Sequence, residues 1–237
     1  IKKQEKKKKE MEEFYRKFKA KASKARQAVS RKKQIEKMEE IEIKRSSRQS
    51  PVFNFNYKGE SAQSVLTVES LCKSFGEVEV LQDLDLKVKR GDRLAILGPN
   101  GIGKTTLLKI IIGELEKAAG KFEWGKDVSY GYYAQDHSEQ IPPHMTPYEW
   151  LEEQFPLSSV GDLKGNLGKM LFEEEDMSRV TDSLSGGEAA RLVFARLIMQ
   201  ETNLLILDEP TNHLDLESIE ALSETLNDYP GTIIFVS

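Results

Sequence analysis

Apolar and polar positions change their spacing near residue 64, and this change divides the chain into two regions. Beyond it, short apolar runs alternate with longer segments of helical period. Residues 65–69, 84–88 and 93–97 are predicted strands, and residues 104–113 are a predicted helix behind the third strand. Residues 204–207 form a continuous apolar run, which is typical of a parallel strand covered on both faces. Strands that alternate with helices predict an α/β fold with a parallel sheet.

Before residue 50 the apolar positions follow a different period. They are separated by four and three residues in turn, with Lys and Arg on the other faces, which predicts a coiled-coil helix. The apolar seam consists of Met11, Tyr15, Phe18, Ala22, Ala25 and Val29. Ser23 could cap a second helix, whose apolar residues could pack back on the first: Ile35, Met38 and Ile41. The pattern permits one long helix or a hairpin. We favour a hairpin for residues 1–50, followed by a connector over residues 51–64, of which residues 54–63 are polar and without period.

Charge separates the same two regions. Residues 1–50 contain 19 Lys and Arg against 8 Asp and Glu, a balance of +11, whereas the remaining residues contain 16 against 31. A basic arm on an acidic body predicts that the arm binds a polyanion. The alternative is a solvated helical linker whose charges only keep it soluble.

Neither a membrane span nor an internal disulfide is indicated. The longest uncharged apolar stretches, such as residues 204–207 and 232–236, have about five residues, whereas a spanning helix needs about 20. The single cysteine, Cys72, has no partner for an internal disulfide and is interpreted as a small buried thiol. These features favour a cytoplasmic protein. Because the chain opens on Ile1 without a signal-like segment, we also expect it to be a fragment.

A glycine-rich segment lies between the third predicted strand and its helix, as a phosphate-binding loop requires. Its glycines allow backbone amides to point at phosphate oxygens, and the helix N-terminus adds its dipole. Lys104 would bind the γ-phosphate, Thr105 would ligate Mg²⁺ and Thr106 would reach the α-phosphate. The candidate nucleotide-binding residues of this segment are Gly98, Asn100, Gly101, Gly103, Lys104, Thr105 and Thr106.

Two further motifs suggest sites for a nucleotide. Asp208 and Glu209 follow the apolar run at the carboxyl edge of the predicted sheet, where Asp208 would bind Mg²⁺ through water and Glu209 would orient or deprotonate the attacking water. Ser185, Gly186 and Gly187 precede a helix predicted for residues 188–200, and their free amides and hydroxyl suggest a second anion site. The alternatives are solvent-facing acids for the first motif and a simple serine cap for the second.

Taken in chain order, the glycine-rich segment, the Ser185 motif and the Asp208 motif resemble the Walker A, signature and Walker B motifs of an ATP-binding cassette, which has the P-loop NTPase fold. The resemblance implies that Gln135 is the Q-loop glutamine, which joins Mg²⁺ and the attacking water to a helical subdomain, here residues 138–184. It implies that Phe75 stacks on adenine, with a core phenylalanine as the alternative, and that Asp215 is the D-loop acid facing a partner domain. Ser185 would contact ATP held by another cassette. One chain would therefore contribute two half-sites, each completed by a second cassette.

The cassette subfamily is suggested by the arm. Residues 13–31, with Ile35 and Met38, closely resemble the inter-domain linker of ABC-F proteins, and residues 184–191 and 208–215 have the ABC-F forms of their motifs. The resemblance covers nearly the whole chain. It implies a tandem-cassette ATPase that binds the ribosome, with the basic arm reaching tRNA and rRNA. It also implies a linker joined to most of a second cassette, residues 65–237, without the first cassette or the switch-loop histidine. We therefore expect weak ATP hydrolysis by this chain alone.

Other functions agree with parts of the sequence. A transporter ATPase subunit would share the nucleotide site but has no use for the basic arm. A chromosome-maintenance ATPase would place a long coiled coil between the phosphate loop and the signature motif, where only about 80 residues lie in this chain. A nucleotide-gated RNA-binding module without catalysis remains an alternative for this chain.

Overall fold

The computed structural model describes residues 50–136 and 140–237. The predicted arm lies outside these residues apart from Ser50, as do the first two residues of the predicted helical subdomain. The elements, in chain order, are β1 (Ser64–Phe75), β2 (Val78–Lys89), β3 (Arg93–Ile96), α1 (Lys104–Ile111), β4 (Ala119–Trp124), β5 (Tyr130–Tyr133), α2 (Pro147–Gln154), α3 (Val160–Lys169), α4 (Glu174–Met177), a 3₁₀ turn (Thr181–Ser183), α5 (Gly186–Met199), β6 (Leu204–Asp208), α6 (Leu216–Asp228) and β7 (Thr232–Val236).

The antiparallel sheet has three strands in the order β2–β1–β4. Its first two strands are 12 residues long and exceed the predicted ranges 65–69 and 84–88. The pairing register of β1 with β2 shifts near Ser70, and both Ser70 and Asp83 have positive φ angles. Such irregularities interrupt the alternation of apolar positions, so the pattern stops short of the strand ends.

The parallel sheet has the order β3–β7–β6–β5, and its central strand β6 is buried along its whole length. Leu204 and Ile206 belong to a core shared with α1 and the antiparallel sheet, whereas Leu205 and Leu207 belong to a core shared with α5 and the helices α2 and α3. Both faces of the strand are therefore covered, as the continuous apolar run predicts. The structure confirms the α/β class, and the parallel strands end at one edge of the sheet.

The helices α2, α3 and α4 fall within the range predicted for the helical subdomain. Trp150 on α2, Leu163 on α3 and Phe194 on α5 are buried in a common core, which joins these helices to the parallel sheet. A capping box begins α2: Thr146 Oγ1 accepts from the Glu149 amide at 3.1 Å, and the Glu149 carboxylate accepts from the Thr146 amide at 2.8 Å. This core fixes the position of α5, whose N-terminus carries the predicted signature motif.

The segment before β1, interpreted from the sequence as a connector, carries two buried aromatic side chains that pack into the domain. Phe53 and Phe55 are 5% and 7% exposed, and both rings contact Phe194, with centroid distances of 5.0 and 6.4 Å. Phe55 also lies edge-on to Tyr229 at 6.1 Å. The alternation of aromatic and polar residues places the rings on one face, and that face is buried against α5 and the end of α6.

Cys72 lies inside β1 and is half-buried, so its interpretation as a buried thiol is wrong. Its sulfur accepts a hydrogen bond from the amide of Asp83 at 3.3 Å, where β2 is irregular. Within residues 50–136 and 140–237, no helix combines the length and the apolar character needed to cross a bilayer.

Candidate nucleotide-binding site

The glycine-rich loop connects β3 to the N-terminus of α1 at the carboxyl edge of the parallel sheet. Gly103 precedes the helix with φ 107°, and a β-carbon at this position would lie 2.7 Å from Val80 Cγ1. Only glycine fits such a contact at a positive φ. Lys104 is 8% exposed, and its Nζ donates to the carbonyl oxygens of Gly98 at 2.6 Å and Pro99 at 3.2 Å. The lysine therefore folds back along the loop and brings its charge to the site.

An open cavity of about 180 Å³ lies over this loop. Eight residues line it, and every one of them is a sequence-predicted site residue: Asn100, Gly101, Gly103, Lys104, Thr105, Thr106, Gln135 and Glu209. They come from the loop, the first turn of α1, the segment after β5 and the segment after β6. The structure brings them together because β3, β5 and β6 are parallel and end at the same edge of the sheet.

Asp208 forms the buried wall beside this cavity. Its side chain is fully buried, and Thr105 Oγ1 donates to its Oδ2 at 2.8 Å. The other carboxylate oxygen, Oδ1, has no hydrogen-bond partner among the described residues. Burial raises the pKa of Asp208, and the neighbouring Glu209 adds to this effect, which the Thr105 hydrogen bond opposes. A carboxylate with an unpaired buried oxygen beside a hydroxyl supplies the hard oxygen ligands that Mg²⁺ prefers, so these residues fit the metal.

Glu209 follows Asp208 and has a positive φ of 47°, which is uncommon for a residue with a side chain. Gln135 Nε2 donates to Glu209 Oε2 at 3.1 Å. Asn212 Nδ2 donates to the same oxygen at 2.6 Å. The structure thus places Gln135 and Glu209 in direct contact. Asn212 was not among the candidate residues, because nothing in its sequence spacing distinguishes a turn residue from a site residue.

The predicted signature residues lie outside the cavity. Ser185 caps α5 in a capping box: its Oγ donates to Glu188 Oε2 at 2.7 Å and accepts from the Glu188 amide at 3.3 Å. The helix begins at Gly186, two residues earlier than the predicted range. Added β-carbons at Gly186 and Gly187 would lie 3.1 Å from His213 Nδ1 and 3.0 Å from the His213 carbonyl oxygen. Ser185 therefore has the capping role that was the alternative to an anion site. Gly186 and Gly187 also leave space for the neighbouring loop that carries His213.

Phe75 and Asp215 do not line the cavity either. Phe75 ends β1 and is 51% exposed, so it is not a core phenylalanine. The Lys73 ammonium lies 5.1 Å from its ring centroid. Asp215 caps α6, where its Oδ1 accepts from the Ser218 amide at 2.8 Å. An exposed ring and an exposed cap are both accessible to a ligand or to a partner domain.

A parallel sheet whose strand ends carry a glycine-rich loop, a buried aspartate and an adjacent glutamate defines a P-loop nucleotide-binding domain. The fold is that of an ATP-binding cassette: a solved dimer of the cassette MJ0796, described as a post-hydrolysis state bound to ADP and Pi, matches with a TM-score of 0.61 and 22% identity, covering 73% of this chain and 87% of that chain. A family model described as ABC transporter matches residues 81–212, and a second model of the same description matches residues 1–55. The chain belongs to the ABC transporter family.

Relatives extend this similarity over the arm. The probable ATP-binding protein YbiT of Escherichia coli O157:H7 is 43% identical over 96% of this chain and 43% of its own length. The uncharacterized ABC transporter ATP-binding protein YkpA of Bacillus subtilis (strain 168) is 42% identical over 100% of this chain and 44% of its own length. ABC transporter F family member 5 of Arabidopsis thaliana is 38% identical over 89% of this chain and 31% of its own length. The chain therefore spans less than half the length of these relatives.

Proposed function

We propose that this chain is the ATP-binding and ATP-hydrolysing part of an ABC-F type translation factor that acts on the ribosome in the cytoplasm. The cavity, which is lined by eight residues predicted from the sequence as nucleotide-binding or catalytic, supports the ATPase part of the proposal. The ribosomal part is supported by the arm, residues 1–50, whose balance of +11 suits tRNA and rRNA phosphates. It is also supported by a relative named as an ABC transporter F family member.

The residues of the cavity would divide the chemistry among them. Loop amides of Gly98, Gly101 and Gly103, with the Lys104 ammonium, would bind the phosphates of ATP. Glu209 would accept the proton of the attacking water, and Gln135, which contacts its carboxylate at 3.1 Å, would keep that carboxylate oriented.

Three oxygen-bearing side chains would hold Mg²⁺: Thr105, Gln135 and Asp208. When bound, Mg²⁺ neutralises charge that develops on the phosphates. Asp208 fits this role because one carboxylate oxygen has no hydrogen-bond partner among the described residues.

A second cassette would complete two sites. Ser185, Gly186, Gly187 and Asp215 lie outside the cavity lining, at the N-termini of α5 and α6, which suits contact with a nucleotide or a cassette in trans. Phe75 is exposed and available to stack on adenine. ATP would then close the two cassettes on each other and set the position of the arm.

Ribosome co-sedimentation tests this function. The chain, joined to a second cassette and carrying Glu209→Gln to trap ATP, should sediment with ribosomes in the presence of ATP and much less without it. Raising salt from about 50 to 200 mM should weaken arm binding by roughly a thousandfold, because several phosphate contacts release counterions. Glu201→Gln, a change at an exposed glutamate outside the cavity, is the matched control and should not trap ATP. Absence of ribosome association by the ATP-loaded Glu209→Gln protein would exclude a translation factor.

A nucleotide-gated RNA-binding module without catalysis is the second candidate for the isolated chain. It is favoured by the position of Ser185 outside the cavity, because a site that needs this serine in trans is incomplete in one chain. The isolated chain should then bind ATP without appreciable turnover, and addition of a second cassette should restore hydrolysis. Equal turnover with and without the second cassette would contradict both the half-site arrangement and this alternative.

A further inference from the structure

Asn212 lies in the turn that follows β6 and Glu209. Its backbone amide donates to the Glu209 carbonyl at 3.0 Å, which closes a turn with Pro210 at the second position, where proline is favoured. The turn returns the Asn212 side chain to Glu209, where Nδ2 donates to Oε2 at 2.6 Å. This is the shorter of the two side-chain hydrogen bonds that the Glu209 carboxylate accepts.

Both of these hydrogen bonds fall on one carboxylate oxygen. Gln135 approaches Oε2 from the segment after β5, and Asn212 approaches it from the turn after β6. Among the described residues no hydrogen bond reaches Oε1, so this oxygen remains to accept a proton. Glu209 has a positive φ of 47°, a sparsely populated conformation that needs support from its surroundings. The Glu209 amide donates to the Val236 carbonyl at 3.0 Å, which holds this backbone. The two side-chain donors come from separate segments and restrict rotation of the carboxylate.

We propose that Asn212 is a positioning residue for ATP hydrolysis, which holds Glu209 so that Oε1 receives the proton of the attacking water. The inference rests on the proposed function of Glu209 and adds a residue that acts through it. In the hydrolytic step the water oxygen bonds to the γ-phosphorus, the bond from that phosphorus to the β–γ bridging oxygen breaks, and one water proton passes to Oε1. The products are ADP and phosphate, and Asn212 exchanges no proton.

Replacement of the Asn212 side chain can distinguish a role in positioning Glu209 from a purely structural role. The side chain is exposed, and the hydrogen bond that closes the turn comes from the backbone amide. Replacement of the side chain should therefore leave the turn and the fold intact. If Asn212 positions Glu209, the replacement should lower kcat while leaving ATP affinity nearly unchanged, because the lost contact orients the base and does not bind the nucleotide.

Steady-state ATP hydrolysis by the chain joined to a second cassette tests the proposal. Asn212→Ala should lower kcat roughly tenfold, since a misplaced catalytic group is costly, with KM for ATP within about twofold of the parent value. Asn212→Asp keeps the size of the side chain but replaces the amide donor by a like charge beside Glu209, and it should lower kcat at least as much. Asn54→Ala, at an exposed asparagine in the segment before β1, is the matched control and should leave both constants unchanged.

A double-mutant cycle separates the two proposals. In a Glu209→Gln background, Asn212→Ala should have no further effect on the residual rate, because Asn212 acts through Glu209. If Glu209→Gln lowers turnover but Asn212→Ala alone leaves kcat unchanged, the positioning role is wrong while the proposed function stands. The positioning role is also wrong if Asn212→Ala lowers the rate equally in both backgrounds. If Glu209→Gln itself retains parental turnover, the assignment of Glu209 is wrong and the role of Asn212 is lost with it.

Discussion

Replacement of Gly103 by alanine should separate the two reasons for a glycine at the start of α1. The first reason is the positive φ of 107°, where an alanine costs about 1–2 kcal/mol. The second is space, because a β-carbon would lie 2.7 Å from Val80 Cγ1 and 3.1 Å from the Val80 carbonyl oxygen. Forcing an extra carbon into such a contact costs about 1–3 kcal/mol. Gly103→Ala should therefore lower the free energy of unfolding by about 2–5 kcal/mol.

Gly113, just beyond the C-terminus of α1, provides a matched comparison. Its φ is 89°, but an added β-carbon would meet nothing within 4 Å, so Gly113→Ala should cost only the conformational part, about 1–2 kcal/mol. Gly113 is also absent from the lining of the cavity. Gly113→Ala should therefore leave ATP affinity unchanged, whereas Gly103→Ala should weaken it by displacing the loop.

Urea unfolding and titration with a fluorescent ATP analogue measure the two effects separately. The expected result is a larger loss of stability for Gly103→Ala than for Gly113→Ala, together with a loss of nucleotide affinity confined to the first variant. Equal stabilities for the two variants would show that the contact with Val80 does not constrain the loop. Unchanged affinity of Gly103→Ala for the ATP analogue would show that the loop does not contribute to nucleotide binding.

Three further substitutions address burial and charge. Asp208→Asn should raise the free energy of unfolding at pH 7 by about 1 kcal/mol, because it removes a buried charge with an unpaired oxygen. Burial raises the pKa of Asp208, so this gain should vanish as the pH falls and the carboxyl is protonated, while Mg²⁺-dependent ATP affinity is lost at pH 7. Phe55→Ala should cost about 3 kcal/mol in urea unfolding through lost contacts with Phe194, while exposed Asn54→Ala stays within about 0.5 kcal/mol. Burial raises the pKa of Tyr229 from 10.0 to about 12. The Tyr229 phenol therefore ionises first in the unfolded chain and should contribute about 2–3 kcal/mol to the loss of stability as the pH rises from 10 to beyond 12, a contribution that Tyr229→Phe should remove.

The nucleotide cavity was predictable because its residues belong to contiguous motifs at the ends of parallel strands. The glycine-rich segment from Gly98 to Thr106 follows β3, and the pair Asp208 and Glu209 follows the buried run of β6. Parallel strands deliver the residues after their carboxyl ends to one edge, so sequence order alone implied their proximity. Gln135 was assigned through the resemblance to an ATP-binding cassette, and the structure places it at the same edge because it follows β5.

Two features escaped prediction for physical reasons. Phe53 and Phe55 alternate with asparagines, but their segment belongs to neither sheet, and the isolated bridge between Tyr57 and Thr202 lies outside the strands. Tertiary packing therefore defines its aromatic face. Asn212 lies in a turn, where asparagine is common for local reasons. Its contact with Glu209 depends on the direction in which the turn places the Asn212 side chain, and the spacing of residues in the sequence does not predict that direction.

The small residues of the signature motif have a structural reason that is separate from nucleotide binding. Both Gly186 and Gly187 lie in the first turn of α5, where alanine would be the better helix former. An added β-carbon at Gly186 would meet the His213 side chain at 3.1 Å, which can move, whereas one at Gly187 would meet the His213 carbonyl oxygen at 3.0 Å, which belongs to the backbone.

Gly186→Ala should therefore change the free energy of unfolding by less than about 0.5 kcal/mol, because its gain in helix propensity offsets the movement of one side chain. Gly187→Ala should lower it by about 1–2 kcal/mol despite the same gain, since the loop that carries His213 must shift. Urea unfolding of the two variants without nucleotide measures the difference. Equal stability of the two variants, or a greater loss in Gly186→Ala, would show that the His213 backbone does not constrain the motif. A greater loss of stability in Gly187→Ala than in Gly186→Ala would instead mean that the loop from Glu209 to Asp215 packs against the start of α5. One loop would then adjoin both the cavity and the signature motif.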